Sequence, residues 1–168
     1  KTIGVQTGFL DLDAKTGGFY PATLTIAAAR TSIGKTQLAI ALTYEIANKG
    51  LPVVFFTCEM SKEEITNRLL ARTALINSDR LREGRIEKEE WEHLAHAVSG
   101  LMDLPIYIHD SPRPNNGEMR AVLRRVASKY DGKLGLVILD YIQLLGDSGD
   151  NRVSELDKVV RDFRALAK

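Results

Sequence analysis

An α/β fold, a mostly parallel sheet flanked by helices, is predicted by three features of this chain. Short apolar runs alternate with stretches whose apolar residues recur at helical spacing. The run 24–28 leads into Ala29-Arg30-Thr31-Ser32-Ile33-Gly34-Lys35-Thr36 and then a helix-forming segment, the strand–loop–helix order that cradles phosphate groups. Glu59 and Asp140 each follow directly on an apolar run, so both stand with Gly34-Lys35-Thr36 at strand carboxyl ends, where such sheets bind ligands.

Taken in order, residues 1–23 hold Gly17-Gly18 and Pro21 and are expected to form an irregular lead-in. The run 24–28 is expected to be the phosphate-loop strand. Residues 38–47 are apolar on most sides and predict a largely buried helix, closed by Gly50 with Pro52 beyond. Residues 53–57, Val-Val-Phe-Phe-Thr, read as a buried parallel strand. Ser61 with Glu64 three residues on is a capping box for a helix carrying Ile65, Leu69, Leu70 and Arg68. Residues 77–85 suggest a short helix or turn rich in arginine. Trp91, Leu94, Ala95, Val98, Leu101 and Met102 recur at strict helical spacing over 87–102, a helix broken by Pro105. A short strand at 106–108 follows, with His109-Asp110 expected in a turn. Met119, Val122, Leu123, Val126 and Tyr130 stripe another helix. Residues 134–139 form a strand ending at Asp140, and 146–151 a polar loop. Val153, Leu156, Val160, Phe163 and Ala167 share a last helical face.

Composition narrows the classes. At 168 residues the chain suits one domain with a sizeable core. Twenty-three basic and 22 acidic residues give net +1, so no overall charge announces nucleic acid. No apolar run reaches the roughly 18 residues of a membrane span, and no leader pattern stands at the N-terminus. Cys58 is the single cysteine, which excludes an internal disulfide and fits a reducing, cytoplasmic setting.

The chemistry concentrates on a few side chains. Backbone N–H groups of 30–37 would face an anion; Lys35 would reach β and γ phosphate oxygens, and the Thr36 hydroxyl would ligate Mg²⁺. Ala29 stands where the general loop pattern asks for glycine. Asp140 fits a Mg²⁺-holding acid and also a residue capping a strand-end turn. Glu59 fits a general base for an attacking water and also a helix N-terminal carboxylate favoured by the dipole. Together with a phosphate loop, the two carboxylates favour the catalytic reading.

These residues bring out a resemblance. From Gly4 to Lys168 the chain resembles the RecA-like P-loop ATPase domain of replicative DNA helicases of DnaB type. The resemblance is carried by Thr7-Gly8-Phe9 with Leu12-Asp13, Thr16-Gly17-Gly18-Phe19, Ala29-Arg30-Thr31-Ser32-Ile33-Gly34-Lys35-Thr36, Glu59-Met60-Ser61, Leu81-Arg82 with Gly84, Pro105-Ile106-Tyr107-Ile108, Asp140-Tyr141-Ile142-Gln143-Leu144 and Phe163-Arg164-Ala165-Leu166-Ala167-Lys168. It implies that Lys35 and Thr36 bind phosphate and Mg²⁺, that Glu59 activates water, that Asp140 is the Walker B acid, and that Arg30, Thr31, Ser32, Ile33, Gly34 and Gln37 line the nucleotide with Arg68 near its base. It further implies ATP hydrolysis coupled to translocation on single-stranded DNA in a homohexamer, with a primase and a helicase loader as partners and no membrane. Thr31 replaces the usual Pro, and Thr57-Cys58 replaces the usual Ser-Leu; both read as outside the chemistry. In that family a further strand lies between the phosphate-loop and Walker B strands, so residues 1–168 are expected to be the N-terminal two-thirds of the domain, incomplete at the C-terminus and part of a longer chain.

The rivals are another RecA-like ATPase of recombination or clock type, and an assembly module that binds nucleotide without turning it over. The loop 146–152 is expected to face the central channel of a ring, with Arg152 its one expected DNA-binding residue, through a phosphate. Arg80, Arg82 and Arg85 could meet a phosphate backbone, with a surface cluster the plainer reading. His93 and His96 beside Glu89, Glu90 and Glu92 fit a solvated helix face better than a metal site.

Overall fold

The structure is a computed structural model that describes residues 4–30, 32–112, 114–140 and 152–167, with backbone only for 152–159. Three strands, β1 (Val53–Thr57), β2 (Ile106–Asp110) and β3 (Leu136–Asp140), form an all-parallel sheet in the order β2-β1-β3. Both neighbours pair with β1 in one register, so Thr57 faces Asp110 on one side and Asp140 on the other.

The apolar run of β1 follows from its place. Every residue of the strand is buried, because helices cover both faces of the sheet. Val54 and Phe56 point into one cluster with Met119, Val122 and Val126 of α6 (Asn116–Ala127) and Phe163 of α7 (Arg152–Ala167). Phe55 points the other way, against Ile40 of α2 (Lys35–Ala47) and Ile65 and Leu69 of α3 (Lys62–Ala74). Each such side chain contributes about 1.5–3 kcal/mol by leaving water. The capping box is formed: the Ser61 hydroxyl accepts from Glu64 N and Ser61 N donates to Glu64 Oε2.

Three expectations need correction. Residues 10–16 are helical, α1 (Leu10–Thr16), where an irregular lead-in was expected. This helix is held from outside. Asp13 accepts Thr7 N, the Thr7 hydroxyl and Gly8 N; burial pushes its carboxyl up, but these bonds outweigh it and hold it below the ordinary value. Residues 24–28 form no strand, since no described residue pairs with them; only Leu24 packs on the core, and Ile26 is 57% exposed. His109 and Asp110 lie inside β2, because the ladder with β1 continues to Thr57 and carries them along. On α5 (Glu90–Met102), Ala97 is buried against Ala74 and Ile76, with Leu94 beside it, while Trp91, Val98 and Met102 are exposed. Small Ala97 permits close approach to α3, and that contact fixes which side of α5 turns inward.

Candidate nucleotide-binding site

The site lies where β1, β2 and β3 end and α2 and α3 begin. Gly34 precedes α2 with φ 102°, a left-handed backbone that disfavours a side chain, although a Cβ there would meet only Gln37 Cβ at 3.9 Å. Conformation, not space, requires glycine here. No side chain caps α2 and no acidic residue sits in its first turn, so its leading N–H groups and the positive end of its dipole face outward. Arg30, Ser32, Ile33 and Gln37 are exposed or half-buried around this end, with Gly34, Lys35 and Thr36 beside them. Thr31 lies outside the described residues, as do the side chain of Arg152 and residues 141–151.

Lys35 folds back along the loop, its Nζ donating to Ala29 O at 2.9 Å and Arg30 O at 3.2 Å. Thr36 Oγ1 donates to Asp140 Oδ2 at 2.7 Å, joining residues 104 positions apart. A hydroxyl and a carboxylate are hard oxygen donors, the set that Mg²⁺ takes with phosphate oxygens and water. The phosphate-loop threonine and the acid ending β3 are therefore brought together as the sequence predicts.

Glu59 lies two residues beyond β1's register partner of Asp140, and Cys58 N donates to Asp140 O at 2.8 Å. Glu59 is exposed, and its carboxylate bonds to no described residue. It opens on a cleft of about 220 Å³ that Asp110 and Ser111 also line. Thr57 Oγ1 accepts from Met60 N at 3.1 Å and donates to Met60 O at 2.8 Å. Asp110 Oδ2 accepts Lys62 N at 3.1 Å, and this bond holds its carboxyl below the ordinary value. Thr57 and Asp110 were missed as site residues; an Oγ-bearing residue two before Glu59 was the available signal.

Arg68 is half-buried on α3, one turn before Arg72, which pairs with Glu45 at 2.9 Å and stacks over the Tyr44 ring of α2. Arg68 therefore shares a face of α3 with Arg72 and lies one turn nearer the start of that helix. The arginine cluster at 80–85 is engaged within the chain. Arg80 pairs with Glu87 and Glu90, Arg82 with Asp79, and Arg85 with Glu83. His96 stands 3.9 Å from Glu92, both exposed, and no metal-holding group of His, Cys, Asp or Glu occurs among the described residues.

The likeness to known proteins extends over nearly the whole chain. The DnaB-like helicase C-terminal domain family matches residues 4–168. A replicative DNA helicase DnaB of a Nostoc species is 45% identical over 166 residues, covering 98% of this chain and 19% of the relative. That of Geobacillus stearothermophilus is 37% identical over 169 residues, covering 98% and 37%. A solved DnaB-like replicative helicase, described with its interactions with primase, superposes with TM-score 0.89 at 28% identity, covering 98% of this chain and 41% of that one. A second solved structure, described as an ATPase domain, does so with TM-score 0.89 at 29% identity, covering 98% and 59%. The fold is thus RecA-like, and the chain spans well under half the length of these curated relatives.

Proposed function

The chain belongs to the DnaB-like helicase C-terminal domain family, and from that premise we propose that it is the ATP-hydrolysing part of a longer replicative DNA helicase. Its substrates would be ATP and, for the assembled protein, single-stranded DNA along which a homohexamer moves in the cytoplasm. A primase and a loader would be partners of that longer protein. The observation that carries the reading is the 2.7 Å contact between Thr36 and Asp140 beside Lys35.

The N–H groups at the start of α2 would bind phosphate oxygens of ATP, and Lys35 would exchange its two carbonyl partners for the β and γ oxygens. Thr36 and Asp140 would hold Mg²⁺. When bound, that ion neutralises charge on the phosphates as the transition state forms. Glu59 would take a proton from the attacking water. The water oxygen bonds to the γ phosphorus, the bond to the β–γ bridging oxygen breaks, and its electron pair leaves with ADP.

Thr36→Ala and Asp140→Asn test this in the full-length protein. Both are expected to raise the Mg²⁺ concentration needed for half-maximal ATP hydrolysis. Unchanged Mg²⁺ dependence in both would remove the pair from the site.

A further inference from the structure

Glu59 is exposed and, among the described residues, bonds to no side chain or backbone group, while the backbone around it is tied down. Two residues fasten that backbone just beyond Glu59. Thr57, 2% exposed at the end of β1, uses its hydroxyl twice on Met60, accepting N–H and donating to C=O. A buried hydroxyl is costly unless bonded, and this one has both of its roles filled by one residue. Asp110, at the end of β2, accepts the N–H of Lys62, the first residue of α3. The two anchors are register partners, and Ser111 N donates to Thr57 O at 3.2 Å to extend the ladder past them. Residues 60 and 62 are thereby tied to one rigid sheet end, with Glu59 directly before the first tie.

The geometry points to Thr57 and Asp110 as positioning residues that hold Glu59 at the reacting water, a role that rests on Glu59 being the water-activating group. Misplacement of a catalytic group by about 1 Å costs on the order of a hundredfold in rate, so small openings of this turn matter. Thr57 enters the chemistry through its hydroxyl, which the family's usual serine also supplies, and not through its methyl group.

The experiment measures ATP hydrolysis and nucleotide affinity in the full-length protein for Thr57→Val, Thr57→Ser, Asp110→Ala, Asp110→Asn and Glu59→Gln, and for Thr57→Val combined with Glu59→Gln. Valine keeps the shape and suits a buried strand. Thr57→Val is expected to lower kcat by about 10–100-fold with KM and nucleotide affinity little changed, and Thr57→Ser to restore it. Asp110→Ala is expected to lower kcat less, and Asp110→Asn to restore it, since its amide oxygen accepts the same N–H. The double variant should be no slower than Glu59→Gln alone, because a residue acting through Glu59 has nothing left to position. Wild-type kcat in Thr57→Val, or a further loss on top of Glu59→Gln, would overturn the inference while leaving Glu59 in place. Undiminished hydrolysis in Glu59→Gln alone would instead overturn the reading of Glu59. If Thr57→Val does not fold, Asp110→Ala with wild-type kcat overturns the inference by itself.

Discussion

The two walls of the proposed site, the Glu59 turn and the loop before α2, are built on different principles. Around Glu59 the backbone is pinned by side chains of the fold: the Thr57 hydroxyl, the Asp110 carboxylate and the Ser61–Glu64 capping box. Around the phosphate loop, residues 25–30 are exposed, and Lys35 bonds only to carbonyls of its own loop. One wall is shaped in advance. The other offers groups whose natural partner is an anion. Changes on the Glu59 wall should therefore show in turnover, and changes on the loop wall in binding.

Four measurements break or sharpen that division. Glu59→Gln should cut single-turnover ATP hydrolysis by about 10²–10⁴-fold, the usual worth of a general base. Nucleotide binding measured with a fluorescent analogue should survive; if binding falls in proportion, Glu59 belongs to the other wall. Lys35→Ala should weaken nucleotide binding by about 10–100-fold, since a hydrogen bond to a charged group is worth about 1.5–3 kcal/mol. Full affinity would show that the loop holds phosphate without the ammonium. Ser61→Ala removes the cap of α3 and should cost about 1 kcal/mol in chemical denaturation. No change in the denaturation midpoint would mean that the remaining ties suffice.

The smallest effect concerns His109, which bonds Glu118 at 2.8 Å and meets the Phe56 ring edge-on. That bond, against partial burial, holds the Glu118 carboxyl below its ordinary value of 4.5. An acid with a lowered pKa in the fold contributes stability that is present above its ordinary value and lost as pH falls through the lower one. Glu118→Gln should therefore be less stable than the parent at neutral pH, with the gap narrowing on acidification. A gap in thermal melting that stays constant with pH would show that the bond's charge contributes nothing.

Much of this was legible in the residues because some features are decided locally. The buried run of β1 announced helices on both faces, and Ser61 with Glu64 announced a cap, since each depends on neighbours a few positions away. Thr36 and Asp140 were brought together as the strand-end argument required. What failed to show depends on distant partners. Residues 24–28 look like a strand, but a strand exists only beside another, and its apolar letters say nothing of that neighbour. Asp110 is a polar letter after a short apolar run; only its pairing with Thr57 makes it strand and places it against Lys62. Seven-residue α1 owes its helix to the Thr7–Asp13 contacts and has no side-chain cap. On α5 the apolar spacing announced the helix, but its buried position, Ala97, is set by contact with Ala74 and Ile76, partners that the spacing does not reveal.

The bond from Thr36 to Asp140 also fixes an order of events. Parallel strands that pair across long sequence separations form late, and a growing polypeptide folds from its N-terminal part as it emerges. The Thr36 hydroxyl is made before its partner, since the carboxylate that accepts from it is translated 104 residues afterwards. For that interval the nascent protein carries the Thr36 hydroxyl with no acid beside it, and the pair proposed to hold the metal exists only once β3 has been made.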